Sequence, residues 1–130
     1  MRYIDSHRVN GVNEQLTIAV LDEPGAGGAH HLYCIRGFNT KTNPSDAPSI
    51  PVDQCAILFQ NGPIKEAGVN GITHETLLAI LIDRLEYFQA GQYRCEENEA
   101  ALQSLKEAQV KLLQRTARRV ARGVEGTHTV

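Results

Sequence analysis

The sequence predicts an α+β fold, with a small N-terminal antiparallel β-sheet followed by a C-terminal antiparallel helical hairpin. Three observations carry this. Alternating, β-branched segments separated by turns fill residues 3–59, apolar residues recur at helical spacing beyond residue 73, and only a few residues join the two helical stretches. At 130 residues the chain fits one domain, divided into a β-rich layer (1–72), a helical hairpin (73–123) and a tail (124–130).

The strands are read from "QLTIAVLD", "HHLYCIRGF" and "QCAILFQ", each short and bounded by turn residues. "NTKTNPSDAPSIP", with three prolines among polar residues, marks an exposed loop. The composition shifts at "NGPIKEAGVNGITHE", where Gly62-Pro63 and Asn70-Gly71 are turn signals. Thr73 is placed to cap a helix starting near His74. In that helix Leu77, Leu78, Leu81, Leu85 and Phe88 recur on a helical period, and Gly91 stops it. A second helix carries Leu102, Leu105, Leu112 and Leu113 and ends at Gly123. So short a connection makes the helices antiparallel neighbours.

Composition excludes several classes. With 42% hydrophobic and 22% charged residues the chain is globular. Thirteen Lys and Arg against fifteen Asp and Glu give a formal net charge of -2, so no global field draws it to nucleic acid or membrane. Any anion site must be built locally. The start "MRYIDSHRVNG" lacks a signal-peptide apolar run, and "LLAILI" is far short of the ~20 residues that span a bilayer, so a cytosolic location is expected. Cys34, Cys55 and Cys95, odd in number and without C-x-x-C spacing, read as free thiols.

Arg115, Arg118, Arg119 and Arg122 fall at i, i+3, i+4 and i+7, which predicts one shared helical face. Such a face is either a solvated helix end favoured by the macrodipole or a phosphate clamp. Glu96, Glu97 and Glu99 are too far along the same helix to neutralise it, although those of a partner subunit could. "DEPGAGGAHH" is not a P-loop, since no G-K-[ST] follows and the next segment is a strand. Its glycines serve either a tight hairpin or a close backbone approach to a ligand. His30 and Cys34 share a strand face, but no further ligands at metal spacing accompany them, and no metal or other cofactor is expected. Phe88 and Asn98 flank the hairpin turn, as a packed ring and a capping amide or as a base-stacking ring with an amide beside it. No nucleophile with a base, catalytic carboxylate pair or H-E-x-x-H motif is found, and Glu125 and His128 in "EGTH" are a weak hint of hydrolysis.

Taken together, "DEPGAGGAHH", "FQNGPIKEAGVNGIT", "LLAILIDRLEYFQAG", "CEEN" and "RGVEGTHTV" resemble the phage-encoded Thoeris anti-defence family, whose helical hairpin is similar to that of the phage anti-CBASS sponges. The resemblance implies a non-enzymatic sponge in the host bacterial cytoplasm. It would bind and sequester glycocyclic ADP-ribose, the signal made by TIR-domain proteins, and some members also capture cyclic di- and trinucleotides at separate pockets. The family's ligand-contacting aromatic in "RLxxFQ" falls on Phe88, the amide of "CxEN" on Asn98, and the basic pair of "RTxxR" on Arg115 and Arg119. Further candidate contacts are Gly27, Gly28, His30, Arg84 and Thr127. Where relatives often read "CREN", this chain has Cys95-Glu96-Glu97-Asn98.

A helix rising ~1.5 Å per residue puts Asn98 and Arg115 ~25 Å apart, more than a nucleotide such as ADP-ribose spans. The implied site is therefore shared between protomers. Two hairpins packed antiparallel would make two equivalent pockets in a two-fold dimer, with a hexamer expected by resemblance. Two other classes stay open on the residues alone. One is a cyclic-nucleotide or ADP-ribose hydrolase using His30, His31 or His128, and the other is a small dimeric nucleic-acid-binding regulator.

Overall fold

A computed structural model describes residues 1–127 and 129; His128, a candidate acid or base in the hydrolase reading, lies outside the described residues. The chain forms an N-terminal unit, Met1–Asn61, and a C-terminal unit from Gly62 onward. The first holds an antiparallel meander of β1 (Arg2–Ile4), β2 (Thr17–Val20), β3 (Leu32–Arg36) and β4 (Gln54–Leu58) in the order β1-β2-β3-β4. The second holds a short α1 (Ile64–Ala67) and the hairpin of α2 (His74–Ala90) and α3 (Glu96–Ala121). The fold is α+β, with the sheet preceding the helices as the sequence predicts.

Alternation along the strands puts Ile18, Val20, Tyr33, Ile35 and Ile57 on one sheet face, where Ile18 pairs with Ile35, Val20 with Tyr33, and Tyr33 with Ile57. Val20 is almost fully buried there. Phe59 extends the cluster by meeting Tyr33 edge to face at 5.7 Å. The glycine segment of "DEPGAGGAHH" is a looped connection rather than a two-residue turn. Asp22 organises it, its carboxylate accepting from the His31 amide at 2.9 Å and the Leu32 amide at 3.0 Å. The polar connection from β3 to β4 is a run of hydrogen-bonded turns, with Asn39 capping Thr40–Thr42 and the Thr40 amide reaching Val52 at 2.8 Å.

The Leu32 amide above all, helped by the His31 amide and the charge of His30, holds the Asp22 carboxyl below the usual carboxylate range against the opposing effect of desolvation. A depressed folded value stabilises above the unfolded value of about 3.9 and is lost as pH falls through the folded one. The melting temperature of Asp22→Asn should therefore lie below wild type at pH 7, with the gap closing as both are melted at successively lower pH from about pH 4 downward.

In the hairpin, Thr73 Oγ1 accepts from the Thr76 amide and α2 begins at His74, as its capping chemistry predicts. The helices meet along a heptad-like seam. Leu78, Ile82, Leu85 and Gln89 of α2 and Asn98, Leu102, Leu105, Gln109, Leu112, Thr116 and Arg119 of α3, all buried or half-buried, trace it at alternating three- and four-residue spacing, with Glu75, Leu77, Phe88 and Lys106 half-buried beside them. Only Ile82 and Leu102 among the seam's apolar residues are fully buried. Ile80, Leu81, Val110, Leu113 and Val120 remain exposed. A two-helix hairpin has too few facing surfaces to cover them.

Candidate functional site

One end of the hairpin is an aromatic recess. Phe88, on the last turn of α2, lines a cavity of about 470 Å³ with Asp83, Arg84, Tyr87, Gly91 and Tyr93. Arg84, one turn before Phe88, holds its guanidinium carbon 5.1 Å from the Phe88 ring centroid, a cation–π stack. Tyr87 and Tyr93 are exposed, so the recess opens to solvent with polar tips at its rim. Exposed aromatic faces of this kind suit stacking by a flat heterocycle.

Two devices hold this end. Cys95 caps α3, its Sγ accepting from the Asn98 amide at 3.4 Å, so Asn98 is the third residue of the helix and its side chain is not the cap. Gln89 clamps the connection, donating to the Cys95 carbonyl at 3.1 Å and the Glu99 carboxylate at 3.3 Å while accepting from the Cys95 amide at 3.0 Å. Gln89→Ala removes all three bonds. It should lower hairpin stability by about 1–2 kcal/mol in urea unfolding.

The arginine end is divided. Arg115 and Arg118 are exposed and, with Lys111, Gln114 and Ala117, line a second concavity. Among the described residues, Lys111, Arg115 and Arg118 make no ion pair. Arg119, at the edge of the predicted face, is only 9% exposed and shares the three- and four-residue spacing of the buried and half-buried positions of α3. Its Nε donates to Glu125 at 2.9 Å, and its Nη2 to the carbonyls of Val124 at 3.1 Å and Thr127 at 3.4 Å. The tail can reach back because α3 ends in a Schellman turn. Gly123, at φ +74°, lets its own amide bond Val120 and that of Val124 bond Arg119.

Phe88, Asn98, Arg84, Arg115, Arg119 and Thr127 thus all belong to the C-terminal unit. Along α3, however, the aromatic and basic ends stand ~25 Å apart. The Thr127 hydroxyl donates to the Val124 carbonyl. Gly27 and Gly28, in the N-terminal unit, adopt φ +74° and +75° with open space where a Cβ would sit. His30 holds Nδ1 2.6 Å from the Asp22 carbonyl oxygen. Among the described residues no three His, Cys, Asp or Glu are gathered as a metal site. No helix of the described residues is long and apolar enough to cross a membrane.

Sequence reasoning missed Asp83, Tyr87, Tyr93 and Lys111, and it took Glu125 only as a weak catalytic hint. Counting α3 in heptads from Leu102 would have put Arg119 on the seam and raised the need for its counter-ion.

Comparison with known proteins agrees with this architecture. A family model described as Acb2/Tad1, hairpin domain, matches residues 52–117. Thoeris anti-defense 1 of Bacillus phage SBSphiJ7 is 51% identical over 70 residues, covering 54% of this chain and 49% of that protein. The chain therefore spans about half the length of the curated relative it matches. With half of its residues matched by that model, including all of α2 and most of α3, the chain belongs to the Acb2/Tad1 hairpin-domain family.

Proposed function

We propose that this protein is a phage anti-defence sponge that binds glycocyclic ADP-ribose and holds it intact, so that a Thoeris effector is not switched on. The name of its phage relative, Thoeris anti-defense 1, supports this reading. The observation that carries it is the separation of two complementary half-sites, an aromatic recess around Phe88 and cations around Arg115 without ion pairs among the described residues. Phe88 stacks the base with Asn98 beside it, and Arg115 and Arg119 of the partner subunit take the phosphates.

Sharing the site requires self-association, and the surface favours it. Val110, Leu113, Ala117 and Val120 of α3 follow a 3-4-3 spacing and are exposed, Val110 at 50%, Leu113 at 52% and Val120 at 61%. That is the spacing of a helix seam without its partner. A second hairpin packed antiparallel covers it and brings each recess to the other protomer's arginines. Pairs assembling into a hexamer, with cyclic di- or trinucleotides of CBASS as further ligands, extend the same reading.

The test is recovery. The protein is loaded with glycocyclic ADP-ribose, freed of excess, heat-denatured, and the released nucleotide identified. Intact ligand in stoichiometric yield supports a sponge, whereas a cleaved product makes the protein a hydrolase.

A further inference from the structure

Arg119 enters the proposed site with its charge already met. It is buried, its Nε–H is held by Glu125, and its Nη2 is held by two tail carbonyls, so three of its five N–H donors are used within the chain. Among the described residues the Nη1 group meets no acceptor. The tail that supplies these partners is tied down elsewhere. The Val124 amide bonds Arg119, the Thr127 amide bonds Val124, and the Lys65 amide of α1 donates to Gly126 at 3.3 Å. Gly126 takes φ +80°, and a Cβ there would lie 3.3 Å from the Lys65 side chain.

We infer that Glu125 is a specificity-determining residue of the nucleotide site: it fixes the Arg119 guanidinium with only Nη1 left for a ligand, and its charge opposes the ligand's phosphate. This rests on the phosphate-binding role proposed for Arg119. The physical consequence is selectivity by charge number. The Arg119–Glu125 pair is net neutral, so an anion reaching Arg119 alone gains little. A ligand with two linked phosphates also reaches Arg115, one helical turn away at roughly 6 Å, which makes no ion pair among the described residues. Glu125 thereby limits what the second phosphate of a pyrophosphate-bearing nucleotide gains, and so sets how far such a ligand is preferred over a monophosphate, which Arg115 alone can take.

Glu125→Gln separates holding from opposing, because the amide oxygen can still accept from Nε while the charge is gone. Calorimetric titration of wild type and Glu125→Gln with glycocyclic ADP-ribose, inorganic pyrophosphate and inorganic phosphate reads the effect. The expected result is glycocyclic ADP-ribose and pyrophosphate binding tighter by roughly three- to tenfold in the variant, with the preference for pyrophosphate over phosphate increased. Unchanged or weaker binding of glycocyclic ADP-ribose by a variant that melts like wild type overturns the inference and leaves the sponge reading intact. If glycocyclic ADP-ribose binds neither protein while pyrophosphate follows the expected pattern, the sponge reading fails and the role of Glu125 stands. A measurement on the unmutated chain guards against misfolding of the variant. The Arg119 Nε–H resonance should stay protected from exchange in free and pyrophosphate-saturated protein, and its loss on saturation contradicts the arrangement.

Discussion

Arg115→Ala and Phe88→Ala should each weaken glycocyclic ADP-ribose binding by roughly ten- to hundredfold while leaving helix content and self-association as in wild type. The two substitutions act through different chemistry. Arg115 is exposed and makes no ion pair among the described residues, so its removal costs little packing, and the expected loss is that of the charge-assisted phosphate contact proposed for it. Phe88 is half-buried under Arg84, so its loss removes the stacking surface and frees a guanidinium from its cation–π partner. Titration calorimetry separates them further by salt, since the Arg115 contribution is electrostatic and shrinks as ionic strength rises, whereas that of Phe88 persists. Arg119→Ala is a poorer probe, because it also deprives Glu125 and two tail carbonyls of their donor.

The largest stability effect is expected at Gly37→Ala. Gly37 follows β3 at φ +100°, and a Cβ there would stand 1.8 Å from the Gln15 carbonyl oxygen and 2.7 Å from its carbon. The obstacle is backbone, so no rotamer change relieves it. Left-handed strain adds to the clash, and the N-terminal unit should lose more than about 3 kcal/mol, enough to abolish the dispersed sheet signals in an amide NMR spectrum. Gly27→Ala is the matched control. At φ +74° with nothing within 4 Å of the added Cβ it should cost only about 1–2 kcal/mol and leave those signals in place.

Much of the hairpin is legible in the sequence because its signals are local. Thr73 and Gly123 punctuate their helices by cap chemistry that depends on a few neighbouring residues. β1 is not legible, since three residues are too few to show a period and Arg2–Ile4 is defined by its pairing with β2. The four-residue α1 escapes for the same reason. Phe88 closes α2 and Asn98 opens α3 on either side of the hairpin turn, but the recess that Phe88 lines owes other walls to Asp83, Tyr87 and Tyr93, which only folding gathers. The four arginines read as one face because their spacing is compatible with one. Tertiary packing divides them by burial, covering Arg119, which pairs with Glu125 of the tail, and leaving Arg115, Arg118 and Arg122 exposed.

The central claim is that each pocket takes its aromatic half from one protomer and its basic half from another. A purified heterodimer of one Phe88→Ala chain and one Arg115→Ala chain, made by co-expression with two affinity tags, tests it by titration with glycocyclic ADP-ribose. In a two-fold pair one pocket then keeps both halves and the other loses both, so one ligand per heterodimer should bind at wild-type affinity although each homodimer binds weakly. Absence of any restored pocket would contradict the shared site and return both halves to a single chain.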